Sequence, residues 1–579
     1  MGRSNRAAIV MDDGALMRAD VFRRHDSLAG NRLIRVGSSN PQAAREGRLS
    51  SGWKNTAAPM PNLARLQRQA LGAFTQGQLD KAERLCAGIL EHRHDDFDAL
   101  QMLGLLKLQR HRPVEALGLL SKALKLNSSS ADAISNLGLA LHAAGRFEEA
   151  AANFRNALML APGHAEILYN LGNACLELGR SDEAMANYDE VLAKNPGHAG
   201  TLVNRGNALV RVNRPLEAIA SFDKALAILP GHPNILTNRG HALRRLDRVA
   251  EALADFNAAL VRAPEFPEAH FESGMARLSL GDFDGWKQYE WRWKTGTFAG
   301  RRRQFSAPLW LGDAPVRGRS ILLHAEQGFG DTIQFIRYAP LLAGRGAKVT
   351  CEVQVELREL LSQLEGVDVI AEGEQLPRFD LHCPLLSLPL AFGTTAETIP
   401  SAPYLAASAD RLAYWRQRLP RRGPRAGFVW SGSSFHKNDT NRSIPLAKLA
   451  GLFENPHLSC ASLQTDMRDA DSETLQAFPG LVHLGGELRD FADTAAVISL
   501  LDVVVSVDTA VAHLAGALGK PVIILLPFAA DFRWMRHRGD TPWYPTAKLV
   551  RQPAFGNWEG AVGRLGEELR IVAGQRAGA

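Results

Sequence analysis

Leu500 to Pro521 reads LLDVVVSVDTAVAHLAGALGKP, and the change of period inside it decides the fold of the C-terminal part of the chain. Leu500–Val507 is a continuous apolar, valine-rich run, the pattern of a parallel strand buried on both faces. At Asp508-Thr509 the pattern changes. Ala510 to Leu518 then reads as a short helix of small residues, closed by Gly519 with Pro521 just beyond. Val522–Leu526 is a second buried strand. The unit strand–turn–helix–strand puts Asp508 and Thr509 at the carboxyl end of a strand and the N-terminus of a helix. Open α/β sheets bind ligands there, and free N–H groups favour an anion. Thr509 and His513 are four apart and share one helical face. A plain helix cap at Asp508 or Thr509, and a helix histidine at His513, are the competing readings.

Working outward, the order S-x-D-T-x-x-x-H-x-A-x-A-x-x-x-P from Ser506 to Pro521 resembles the nucleotide-sugar signature of the heptosyltransferase-like glycosyltransferases. The resemblance implies that Asp508, Thr509 and His513 face a donor. It extends over roughly 320–570. Upstream, the text alternates strand and helix: ILLHAE, KVTCEV, VDVIAE and FDLHCP, then RAGFVWSG, LSCASLQ and LVHLGG after a Pro/Arg-rich stretch at Leu419–Arg425. Two consecutive α/β rounds suggest two Rossmann-like halves facing a cleft, the GT-B architecture.

A different period governs the N-terminal part. Asn136, Asn170, Asn204 and Asn238 open near-copies spaced by 34 residues, a step that resembles the tetratricopeptide repeat. Gly138, Gly172, Gly206 and Gly240 stand early in the first helix of each copy. Ala150, Ala184, Ala218 and Ala252 follow in the second, with Phe154, Tyr188, Phe222 and Phe256 to fill the space between. Pro162, Pro196, Pro230 and Pro264 end it. Weaker copies lie around Ala70/Ala82 and Gly104/Ala116, and a degraded one at Gly274 has Trp286 where the alanine belongs. About six repeats and a divergent cap predict an α-solenoid with a concave groove. The Trp- and Arg-rich segment from Asp282 to Pro308 reads as the piece that docks solenoid to catalytic unit. The expected domains are a basic leader at 1–61, a solenoid with its cap at 62–300, an N-terminal Rossmann-like half at 301–424 and a C-terminal half at 425–579.

The 579-residue composition is ordinary for a globular protein, 46% hydrophobic and 22% charged. Of the net charge of +6, the leader carries +5, from ten basic and five acidic residues. The remainder is nearly neutral, which gives no argument for nucleic-acid binding. The leader lacks periodicity and reads as disordered, or as an over-extended gene start with Met60 as initiator. It has no apolar core of a secretory signal, and no uncharged apolar run of transmembrane length occurs. Cys86, Cys175, Cys351, Cys383 and Cys460 are isolated, without zinc spacing, which suits reduced thiols in the cytoplasm.

Gln327-Gly328-Phe329-Gly330-Asp331 joins the first strand of the N-terminal half to its helix, and Gly328 and Gly330 let backbone approach a ligand. In the family resembled, this loop supplies the acidic residue facing the acceptor, which falls on Asp331. An inverting transfer needs one base to take the acceptor's proton; a helix cap is the other reading. Ser431 follows the first strand of the C-terminal half, and Lys437 and Arg442 lie where relatives place a phosphate-binding cation. Either could clamp a diphosphate beside Thr509. Gln464, at the end of LSCASLQ, is a base or ribose contact in this reading. The acidic triplets at Asp96/Asp98, Asp282/Asp284 and Asp469/Asp471 read as helix starts, so the expectation is a metal-independent enzyme with no cofactor beyond its nucleotide-sugar. Asn136, Asn170, Asn204 and Asn238 match the position where the solenoid of protein O-linked N-acetylglucosamine transferases carries a ladder gripping peptide backbone, which implies a protein or peptide acceptor. A lipid-linked or oligosaccharide acceptor met by peripheral membrane association, and a scaffold with a degenerate transferase domain, remain the alternative readings.

Overall fold

The computed structural model describes residues 63–419, 423–434, 436 and 438–577. The basic leader lies outside the described residues. The chain divides into two compact units, Met1–Ile235 and Leu236–Ala579.

Among the described residues of the first unit, ten helices run in five pairs, from Leu63–Thr75 with Leu79–His92 to Ala199–Arg211 with Pro215–Ile228. The small residues explain the pairing. A Cβ on Gly138 would meet Phe154 at 2.7 Å, and one on Gly172 or Gly206 would meet Tyr188 or Phe222 at 2.5 Å. Those three rings, with Ala150, Ala184 and Ala218, are fully buried. Each first helix ends in a left-handed residue two positions past the helix. Gly77, His111, Gly145, Gly179 and Asn213 hold φ between 56° and 77°. The next N–H then bonds back toward the helix, as Arg146 N does to Leu141 O at 2.9 Å. Second helices stop two residues before Pro162, Pro196 and Pro230 because a proline bars helix from the residue ahead of it.

The second unit opens inside the helix Pro233–Arg245 and continues with Val249–Arg262 and Pro267–Ser279. The same turn recurs, now with Asp247 (φ 58°) and Gly281 (φ 79°) in the left-handed position. The degraded repeat pairs Pro267–Ser279 with the short helix Gly285–Tyr289. Trp286, in the alanine's place, is 2% exposed and meets Phe335 and Phe532 edge to face at 5.8 and 5.6 Å. The docking segment is thus core in its own right. Arg292, fully buried, grips Glu326 with two nitrogens (2.9 and 3.2 Å) and bonds Glu290 and Ser387.

Two all-parallel sheets follow. The first holds β1 (Ser320–His324), β2 (Lys348–Val353), β3 (Val367–Ala371) and β4 (Leu381–Pro384) in the order β3-β2-β1-β4. The second holds β5 (Arg425–Val429), β6 (Ser459–Ser462), β7 (Leu481–His483), β8 (Val503–Val507), β9 (Val522–Leu526) and β10 (Ala547–Arg551), ordered β10-β9-β8-β5-β6-β7. Read from the other edge, that is the doubly wound 3-2-1-4-5-6 order, with its switch point between β5 and β8. β8 and β9 are buried along their whole length, as expected for strands covered on both faces. No helix among the described residues is long and apolar enough to cross a membrane.

Candidate functional site

Val429 of β5 pairs with Ser506 of β8, so Ser431 and Asp508 leave the sheet side by side at the switch point. Arg442 closes this end. Its Nη1 donates to the Asp508 carbonyl at 2.9 Å, and its guanidinium lies where a Cβ on Gly432 would run into it. Gly432 N donates in turn to Ser443 Oγ (3.0 Å), which donates to Asp439 (2.6 Å). Of the two candidate cations, Arg442 is therefore at the switch point, while Lys437 lies outside the described residues. Thr509 is the N-cap residue of Ala510–Ala517 by its backbone, yet its side chain makes no cap bond. Its hydroxyl meets Ser506 Oγ at 3.0 Å instead. The first-turn N–H groups thus have no side-chain cap, the condition for anion binding at a helix start. Ser431 Oγ and the Nε atoms of Arg442 and Arg533 are buried without a hydrogen-bond partner among the described residues.

The first α/β half meets this end through Phe329–Phe335. A Cβ on Gly330 would lie 2.9 Å from His513 Cδ2 and 3.5 Å from Ala510 Cα. Gly330 thus serves the packing of two helix starts on each other. Gly328 has a polar role, since its N–H donates to Asp331 Oδ2 at 3.0 Å. Asp331 caps its helix in this way and also forms an ion pair with Arg533, which donates as well to Asp531 at 2.7 Å. The helix-cap reading of Asp331 holds, and its side chain is 19% exposed. Burial raises its carboxyl above the usual range, with the Arg533 charge pulling the other way.

His513 is 4% exposed, accepts or donates at Nδ1 with the Tyr544 hydroxyl (3.0 Å) and stacks on Trp534 at 5.2 Å. Its Nε2 is 3.8 Å from Asp508 Oδ1. Burial, reinforced by the Arg533 charge, lowers the imidazole to about 3, so it is neutral. Asp508 goes the opposite way: burial and the nearby Asp531 push it up to about 6. Trp534, Trp543 and Tyr544, at most 2% exposed, are core beneath the histidine. Arg337, 2% exposed, ties the two halves by donating to the carbonyls of Trp543 (2.8 Å) and Pro400 (3.0 Å).

Two expectations change, at Gln464 and in the asparagine ladder, while Asp471 lies in the first turn of the helix Asp469–Ala477 as expected. Gln464 is 4% exposed and its amide is fully spent: Oε1 accepts from Trp430 N and Ser431 N, and Nε2 donates to the Ser431 and Asp466 carbonyls. It braces the ends of β5 and β6 and has nothing left for a ribose. Asp471 likewise accepts from Trp430 Nε1 and Leu446 N, both at 2.9 Å. The asparagine ladder is partly consumed within the solenoid. Asn136, 4% exposed, donates to Gln101 Oε1 at 2.7 Å, and Asn204 donates to the Tyr169 hydroxyl (2.9 Å) and Asn173 (2.8 Å). Asn170 and Asn238 are half-buried, and Asn170 lines one hollow with Asn136, Asp132, His164 and Glu166. What sequence reading missed is Arg533. No local signal marks it, because its partner Asp331 is 202 residues away.

Residues 465–547 match glycosyltransferase family 9 (heptosyltransferase), a span that includes Asp508, Thr509, His513 and Arg533. Residues 141–205 and 237–285 match tetratricopeptide repeats. Protein FlbA of Caulobacter vibrioides is 26% identical over 336 residues, 52% of this chain and 55% of that protein. The chain therefore spans about half the length of the curated relative it matches. Among solved structures, MamA is 26% identical with a TM-score of 0.25, covering 28% of this chain and 93% of MamA. YrrB, a TPR protein with an unusual peptide-binding site, is 22% identical with a TM-score of 0.27, covering 32% of this chain and 95% of YrrB. The chain thus joins a tetratricopeptide-repeat solenoid to a heptosyltransferase-like glycosyltransferase domain.

Proposed function

We propose that the protein is an inverting, metal-independent GT-B glycosyltransferase that takes its sugar from a nucleotide-sugar and delivers it to a protein acceptor recruited by the repeats. The observation that carries this reading is the meeting of two helix starts at the carboxyl ends of two parallel sheets, with Asp331 on one side and Asp508, Thr509 and Arg442 on the other. In this reading the donor's diphosphate lies against Arg442, Ser431 and the N-terminus of Ala510–Ala517. Fixed cations and N–H dipoles there meet the negative charge that develops on the leaving group. Asp331 takes the proton of the acceptor hydroxyl as its oxygen attacks C1; the C1–O bond to the diphosphate breaks, and a nucleoside diphosphate leaves. A carboxyl raised by burial is suited to that proton transfer. Neutral His513 adds no charge to the site and serves as a hydrogen-bonding wall against the donor. The five cysteines are buried and unpaired, which supports a cytoplasmic site of action.

Calorimetry with a panel of nucleoside diphosphates and nucleotide-sugars tests the donor half of this reading. One nucleotide class is expected to bind equally with and without EDTA, and more weakly to Arg442→Ala or Thr509→Ala. Binding abolished by EDTA and restored by manganese would contradict it.

A further inference from the structure

The loop from Asp531 to Arg538 carries more constraint than sugar transfer by itself explains. Met535 (φ 48°) and His537 (φ 53°) sit in the left-handed region without being glycine. Such backbone persists where the surroundings over-determine it, and here two clamps do so. From β10, Arg551 Nη2 donates to the carbonyls of Trp534 (2.6 Å) and Met535 (2.5 Å). The second clamp comes from a repeat. Arg536 donates through Nε to Asp247 Oδ1 (2.6 Å), and through Nη2 to Asp247 Oδ2 (2.9 Å) and the Asp247 carbonyl (2.8 Å). The two side chains are 23% and 14% exposed, so this is a shielded, forked ion pair of the stronger kind.

Asp247 occupies the left-handed turn after the first helix, a place held by Gly77, Gly145, Gly179 and Gly281 and, in two other repeats, by His111 and Asn213. A side chain there weakens the turn that glycine favours. Its carboxylate, in exchange, holds a loop whose neighbouring residues, Arg533 and Trp534, touch Asp331 and His513.

We propose that Asp247 is a positioning residue for the transfer site, a carboxylate supplied by the last complete repeat that fixes the 531–538 loop through Arg536 and so holds Arg533 on Asp331 and Asp531. The repeat is then a part of the transferase as well as a recruiting arm. The proposal rests on the assignment of Asp331 and Arg533 to the transfer site.

Asp247→Gly in the full chain separates turn from carboxylate, because glycine suits the turn and lacks the clamp. The melting temperature is expected to fall only modestly, because glycine in the turn offsets part of the lost ion pair, and hydrogen–deuterium exchange in peptides covering 531–540 to accelerate about tenfold or more, confined to that loop. The kcat for nucleotide release from whichever donor the panel identifies should fall about tenfold or more with donor affinity within about threefold, as for a misplaced catalytic group. Arg536→Gln should reproduce this, and the double variant should be no worse than either single one. Asp247→Gly with wild-type loop exchange and turnover would overturn the proposal, and so would a lowered melting temperature with faster exchange throughout the unit. If the wild-type protein binds and turns over no nucleotide-sugar, the transferase reading fails, while the exchange measurement still decides whether Asp247 fixes the loop.

Discussion

Asp331 caps a helix, pairs with Arg533 and, in the proposed reaction, accepts a proton, and the three roles separate on substitution. Asp331→Asn keeps an oxygen for the Gly328 N–H and so is expected to fold and bind donor. Transfer should fall by about two orders of magnitude or more, as for a lost general base. Asp508 gives a prediction in pH. Folding moves its carboxyl from 3.8 to about 6, so the folded chain holds this proton more tightly than the unfolded one. The associated stability is full below the unfolded value and is lost as pH rises through 6. Asp508→Asn, neutral throughout, should melt higher than wild type above pH 6, by on the order of 1–3 kcal/mol, and converge with it below pH 4. Nucleotide affinity should drop in the same variant. Thermal melts and calorimetry across pH 4–8 check both; a melting difference independent of pH would remove the buried carboxyl as its cause.

At the scale of elements, the repeat was legible because its signals are local. Glycine, alanine, aromatic ring and proline recur every 34 residues, and each has one steric job. Gly206→Ala tests that job: its new Cβ would lie 2.5 Å from Phe222, so a loss of about 1–3 kcal/mol is expected from overpacking. A denaturant melt indistinguishable from wild type would contradict it. The asparagines were only half legible. Their spacing placed them on one helical position, but the partners Gln101 and Tyr169 sit 35 residues away. Asn136→Ala is therefore expected to cost stability, about 0.5–1.5 kcal/mol or somewhat more because Gln101 is left buried and unpaired. The quadruple alanine variant should weaken acceptor use beyond this, whereas equal loss of acceptor transfer and donor hydrolysis would assign the ladder to folding alone. Gln464 shows the same limit: a polar residue at a strand end looks like a ligand contact until its amide is seen spent on Trp430, Ser431 and Asp466.

At the scale of the molecule, the two α/β rounds and the strand-to-helix turns before Asp331 and at Asp508 could be read from period changes, which are local signals. The pairing of Arg533 with Asp331 and of Arg536 with Asp247 could not, because both depend on how loops far apart in sequence meet. The central claim is that this is a nucleotide-sugar-dependent transferase using Asp331 as its base. The most direct measurement is nucleotide release from a panel of nucleotide-sugars by the full-length protein, with Asp331→Asn run beside it under the same conditions. The account predicts that one donor class is consumed by the wild type without added metal, and that the variant binds that donor equally but consumes it about a hundredfold more slowly. A wild-type protein that neither binds nor consumes any donor, or an Asp331→Asn variant that keeps pace with it, would contradict the account.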